Sequence, residues 1–105
     1  MVASYNLYVS DKPGKKYKIV ISYPNEVNKR NKTVYFGAEG YDDYTTHKDK
    51  DRKRRYISRH KYKENWDDPR TAGFYSRWIL WNKPTMKESI KDIKKRFGIN
   101  IKANP

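Results

Sequence analysis

Apolar and polar positions alternate with a period of two along the first third of the chain. Tyr5, Leu7 and Val9 alternate with Asn6 and Tyr8, and Tyr17, Ile19, Ile21 and Tyr23 alternate with Lys18, Val20 and Ser22. That period, carried by β-branched and aromatic residues, predicts two strands with one buried face. Asp11-Lys12-Pro13-Gly14 lies between them, and Pro followed by Gly supplies the backbone angles of a tight turn. The pair is therefore expected to form a β-hairpin. Thr33-Val34-Tyr35-Phe36, beyond the polar stretch from Pro24 to Lys32, predicts a third strand and a three-stranded antiparallel meander. Such a sheet, with a single apolar face, needs a cover that downstream helices must supply.

Gly37 and Gly40 close this β-rich part, residues 1–40, and the pattern then changes. Residues 41–70 form a highly charged segment of helix and loop, with ten Lys/Arg and seven Asp/Glu. Within it residues 49–60 predict a helix: no Gly or Pro interrupts them, acids come first and bases follow, as the helix dipole favours. Its apolar stripe is narrow, Tyr56 and Ile57 beside His60, so the helix should rest on the surface with one edge down. Residues 71–98 carry an aromatic helix and then a capped amphipathic one. Phe74, Trp78 and Trp81 fall at helical spacing on one face, the main core candidate. Asn82-Lys83-Pro84 breaks that segment. Thr85-Met86-Lys87-Glu88 matches a capping box, Met86, Ile90, Ile93 and Phe97 form one stripe, and Gly98 suits a left-handed cap. In the tail, residues 99–105, Ile99 and Ile101 either add a short strand or simply pack. The expectation is one small basic α+β domain over residues 1–105, an N-terminal antiparallel β-hairpin or three-stranded meander covered by two to three C-terminal helices.

Composition sharpens this picture. The chain has 105 residues, enough for one domain. Only 35% of them are apolar, and ten of those are Tyr with its polar tip, so the core is thinly stocked. Lys and Arg number 25 against 12 Asp and Glu, a net charge of +13. Excess positive charge runs through the whole chain and calls for an acidic partner: nucleic acid, an acidic protein surface or an anionic membrane. The absence of Cys excludes disulfides, thiolate metal sites and a Cys nucleophile, and mildly favours a reducing compartment. No apolar run is long enough for a membrane span, and the start MVASYNLYVS lacks the features of a secretory signal.

Three constellations bear on chemistry. Arg52, Lys53, Arg54 and Arg55, extended by Arg59, Lys61 and Lys63, form a basic run suited to phosphates through counterion release and bidentate Arg contacts. Arg77, Lys94, Lys95 and Arg96 add further cations that can meet nucleic acid or an acidic partner. The plainer reading is a solvated helix face balanced by Asp49, Asp51 and Glu64. Second, Tyr56, Tyr62 and Trp66 stand close to bases in the sequence and are candidates for stacking or interface contacts. Third, His47 lies near Asp49 and Asp51, and His60 is four residues from Glu64. Two His and no Cys leave few ways to complete a metal site, and no nucleophile motif or phosphate loop occurs. No catalytic residue, metal, cofactor or small-molecule substrate is therefore assigned; Glu64 is expected to pair with His60, Lys61 or a nearby Arg.

Three stretches carry a resemblance: residues 34–49, from Val34-Tyr35-Phe36-Gly37 to Lys48-Asp49; residues 52–60, Arg52-Lys53-Arg54-Arg55-Tyr56-Ile57-Ser58-Arg59-His60; and residues 71–85, whose Phe74-Tyr75-Ser76-Arg77-Trp78-Ile79-Leu80-Trp81 is the most distinctive. Over about residues 33–98 the chain resembles a family of small basic proteins of unknown function encoded by large DNA viruses of eukaryotes and related environmental viral genomes. The resemblance implies a viral setting and transfers no catalytic residue. Two roles are then expected. The first is a non-enzymatic minor capsid or virion component that bridges capsid subunits through a basic, Tyr-rich surface. The alternative is a nucleic-acid-binding protein of packaging or transcription, with DNA ahead of RNA, located in the virion or otherwise in host cytoplasm or nucleus.

Overall fold

The structure, a computed structural model, describes residues 3–104. Residues 1, 2 and 105, which the single-domain expectation includes, lie outside them. Three strands follow one another: β1 (Ser4–Val9), β2 (Lys15–Ser22) and β3 (Lys32–Ala38). Both β1 and β3 pair with β2 antiparallel, placing Leu7 opposite Ile19 and Ile19 opposite Val34 on one face. The β1–β2 turn closes with Lys15 N–H donating to the Lys12 carbonyl (3.3 Å), and Gly14 takes the φ of 87° that a side chain would resist. On the open face Tyr35 Oη (3.0 Å) and Lys18 Nζ (3.3 Å) both donate to the Asp11 carboxylate.

The meander is part of a larger sheet. Strand β4 (Ile101–Ala103) joins the free edge of β1 in parallel, giving the order β3-β2-β1-β4 and a four-stranded mixed sheet. Of the two options open for the tail, a strand is formed: Ile101 is 4% exposed, and beyond it Asn104 N–H donates to the Leu7 carbonyl (2.9 Å).

The covering layer is helical. A short α1 (Tyr44–His47) precedes α2 (Lys50–His60); α3 (Ala72–Tyr75) runs directly into a π-helical turn (Ser76–Leu80); α4 (Met86–Phe97) completes the layer. Helix α4 is capped as its sequence dictates: Thr85 Oγ1 accepts from Glu88 N–H (3.2 Å), and Gly98 closes the far end at φ 70°. The core joins Leu7, Ile19, Ile21, Val34, Phe36 and Ile101 of the sheet to Phe74, Tyr75, Ile79, Leu80 and Ile93 of the cover.

The aromatic segment departs from its predicted face. Trp81 N–H donates to the Ser76 carbonyl (3.0 Å), five residues back, so the turn is wider than an α-turn. The extra residue rotates the register. Phe74 stays in the core, but Tyr75, Ile79 and Leu80 join it there, while Trp78 and Trp81 are half-buried at its edges. Trp78 packs edge-on against Phe97 (5.4 Å between centroids).

Candidate functional site

Helix α2 begins where Asp49 accepts hydrogen bonds from the backbone N–H groups of Asp51 (2.9 Å) and Arg52 (3.3 Å). These bonds, that from Arg52 foremost, hold the Asp49 carboxyl below its usual range. With the helix so phased, Tyr56 turns inward and Arg52, Arg55 and Arg59 share one exposed stripe, three and then four residues apart. The three arginines line a hollow of about 310 Å³ together with Tyr41, Asp42 and Trp81. Among the described residues none of the three is ion-paired, whereas Arg54 is held by Asp51 at 3.2 Å.

Trp81, which lines this hollow, belongs to an aromatic stack behind it. Tyr56 and Trp81 stack with ring centroids 4.5 Å apart and planes within 2° of parallel. His60 stacks on Tyr56 at 4.3 Å, and His47 leans on Trp81 at 5.3 Å. Tyr56 is consequently 7% exposed, and burial pushes its hydroxyl pKa far up, with Glu64 adding to the effect. As a stacking partner for another molecule it offers no open face, contrary to the expectation from its neighbours in sequence. Trp66 is likewise half-buried, its carbonyl accepting from Trp78 Nε1 (2.8 Å). Tyr62 does stand free, 85% exposed, with Lys61 Nζ 4.9 Å from its ring centroid.

The basic residues divide in the same way. Lys53 is spent internally: Nζ donates to the Asn82 carbonyl at 2.6 Å and lies 5.0 Å from the Tyr44 ring centroid. Burial, helped by Arg77, Lys83 and Arg96, lowers its pKa. Arg77 donates to the Trp81 carbonyl (2.9 Å) and lies over the Trp78 ring at 4.3 Å. Arg96 is paired with Asp92 at 2.7 Å. Lys53 and Arg77 are structural ties rather than free cations, whereas Arg96 stays exposed and is paired along its own helix. Lys61 and Lys63 are exposed just beyond α2, and Lys94 and Lys95 are exposed in the last turn of α4; none of the four lines the hollow.

A second cavity, about 410 Å³, adjoins the first, sharing Tyr41, Asp42 and Trp81 with it. Its wall includes Gly37, Tyr56, His60 and Glu64. His60 Nδ1 lies 3.0 Å from Glu64 Oε2, the pairing that the four-residue spacing predicts. The Glu64 carboxylate rests on Gly73, where an added Cβ would fall 2.8 Å from Oε1. Asp43, 3% exposed, binds Lys16 at 2.8 Å and caps α1 through Thr45 and Thr46, so its charge is met locally. Tyr41 and Asp42 fall in the stretch 34–49 that carries the resemblance but have no role assigned there, and the fold brings them beside α2. Gly40, at φ 83°, turns the chain toward them.

Among the described residues no helix is long and apolar enough to cross a membrane, and no group of three or more His, Cys, Asp and Glu gathers as metal ligands would. No curated protein and no solved structure matches the chain. One family model matches residues 5–60, a segment that takes in β1 to β3 and the arginine helix, and stops short of the aromatic run around Trp78. On that match, which spans just over half its length, the chain belongs to DUF5754, a family of unknown function.

Proposed function

We propose that the protein is a non-enzymatic nucleic-acid-binding protein, with DNA ahead of RNA, that neutralises backbone phosphates with the arginine stripe of α2. One observation carries the reading: Arg52, Arg55 and Arg59 surround a single hollow, exposed and without an ion pair among the described residues. Cations left unpaired on one face of a protein of net charge +13 are placed to replace the counterions of a polyanion. Arginine adds a planar fork that grips phosphate through two bonds.

A second reading, favoured by Tyr62 and Tyr41 standing 85% and 73% exposed, is a minor virion component that bridges capsid subunits. Tyr and Arg are enriched where proteins meet. Under it the same stripe meets carboxylates.

Fluorescence anisotropy of the full chain with short labelled DNA, from about 50 to 200 mM salt, separates the two. Nucleic-acid binding gives an affinity that falls steeply as salt rises, and a shallower fall when Arg52, Arg55 and Arg59 are all changed to Ala. Absence of binding at the lowest salt overturns the first reading and leaves the second.

A further inference from the structure

The two cavities beside α2 differ in chemistry although they share a wall. The arginine hollow suits phosphate. The larger cleft is of mixed charge: Asp42 and Glu64 line it together with Lys15, and Lys16 is already bound by Asp43 at 2.8 Å. What fits there is a flat, uncharged group carrying N–H donors. A ring face is available to it, because Tyr41 is 73% exposed and lines both cavities. Trp81, which also lines the cleft, is held by its stack on Tyr56 at 4.5 Å. At about 410 Å³ the cleft is at the small end of ligand pockets, which run from roughly 300 to 1,000 Å³.

We propose that this cleft receives one unpaired nucleobase, stacked on Tyr41 with its donors toward the exposed Asp42 carboxylate, while the adjoining phosphates of the same strand lie on Arg52, Arg55 and Arg59. The ligand is then single-stranded DNA rather than duplex, whose bases are turned inward and cannot enter. This specificity rests on the nucleic-acid reading of α2 and goes beyond it. Asp42 gives the cleft a preference among bases: a carboxylate only accepts, so guanine, which offers two adjacent N–H donors, is favoured over adenine, which sets an acceptor beside its donor.

The test compares four ligands at one salt concentration by anisotropy or competition: a single strand, the same strand with abasic sites, its duplex, and a free nucleoside monophosphate. The single strand should bind roughly tenfold tighter than the abasic strand, the size of one base-stacking contact. Tyr41→Ala, far from the core and so compatible with the fold, should bring the two affinities together. Equal affinity of the base-bearing and abasic strands overturns the proposal, as does a duplex that binds as tightly as the single strand. A monophosphate that binds as tightly as the strand overturns it in favour of a mononucleotide site. If no strand binds at all, the nucleic-acid reading of α2 itself fails, a result distinct from each of these.

Discussion

Tyr56 of α2 lies flat against Trp81, which follows the π-helical turn, with their centroids 4.5 Å apart and their planes 2° from parallel. Tyr56 is the one residue of α2 that is buried, and it lies outside the main core cluster. Among the contacts that tie the arginine helix to the rest of the fold are this stack and the 2.6 Å hydrogen bond from Lys53 to the Asn82 carbonyl. Asn82 is in turn held by its own bond to Asp92 (2.8 Å). Tyr56 sits within four residues of all three arginines and Lys53 within two of Arg52 and Arg55, so what anchors the helix also aims the arginines.

Removal of the stack should detach the helix. Tyr56→Ala is expected to cost about 3 kcal/mol, in the range for deleting a large buried aromatic side chain. Tyr56→Phe keeps the stacked face and should cost far less. Urea unfolding measures both. A loss for Tyr56→Ala no larger than that for Tyr56→Phe would show that the stack is not what holds α2.

The features that were legible in the sequence are those set by near neighbours. The turn at Pro13-Gly14, the Thr85 cap and the Gly98 stop each need only residues a few positions apart, and each is in place, although the return bond of the predicted capping box from Glu88 to the Thr85 N–H does not form. The edge strand β4 needed a partner, Tyr5 to Leu7, nearly the whole chain away, so the sequence left a strand and simple packing equally open for Ile101. The face of the aromatic segment was misread because a helical wheel assumes a constant turn, and the bond from Trp81 to Ser76 breaks that assumption. The arginines were visible as a run. The division between Arg52, Arg55 and Arg59, left free, and Lys53, bound internally, was not visible, because it depends on Asn82 arriving from another element; Arg77 and Arg96 find Trp81 and Asp92 four residues away along their own segments.

Tyr75 is fully buried, and its hydroxyl finds no hydrogen-bond partner among the described residues. An unpaired polar group in the core is a cost, so Tyr75→Phe should stabilise the protein by about 1 kcal/mol at neutral pH. The same residue governs the alkaline limit. Burial, and then Tyr5 and Tyr23, raise its pKa far above the ordinary 10.0, and Tyr56 is raised as well. The unfolded chain releases these protons near pH 10 while the folded chain keeps them. Their stabilising effect is complete below pH 10 and is lost as pH rises above it. Lys53 acts in the opposite sense: its pKa is lowered in the fold, so its share of stability rises as pH approaches 10.5. Two buried phenols should outweigh one half-buried amine. Thermal melts from pH 8 to 11.5 should show a fall that begins near pH 10 and flattens in Tyr75→Phe. An unchanged profile in that variant contradicts the assignment.

The segment that matches the family model, residues 5–60, should not fold by itself. It retains Leu7, Ile19, Ile21, Val34 and Phe36 on one sheet face but loses Phe74, Tyr75, Ile79, Leu80 and Ile93, which cover them, and Ile101 at the edge. A small sheet with its apolar face bare is not stable in water. The isolated segment should lack dispersed amide resonances and a cooperative melt, and a cooperative transition would show that the C-terminal helices are dispensable.

The arginine stripe must also be distinguished from overall charge. Replacing Arg52, Arg55 and Arg59 with Ala lowers the net charge from +13 to +10, and so does replacing Lys91, Lys94 and Lys95 on α4. All six are exposed, so neither set disturbs the core. If long-range attraction alone held DNA, the two triple variants would weaken together. A localised site predicts a split: the arginine variant loses direct phosphate contacts, and the slope of log affinity against log salt should fall by about 2. The lysine variant should keep nearly the parent slope and lose only a little affinity at low salt, where unscreened charge acts at a distance. Equal slopes in the two variants would remove α2 from the binding site and leave the positive charge as a property of the whole surface.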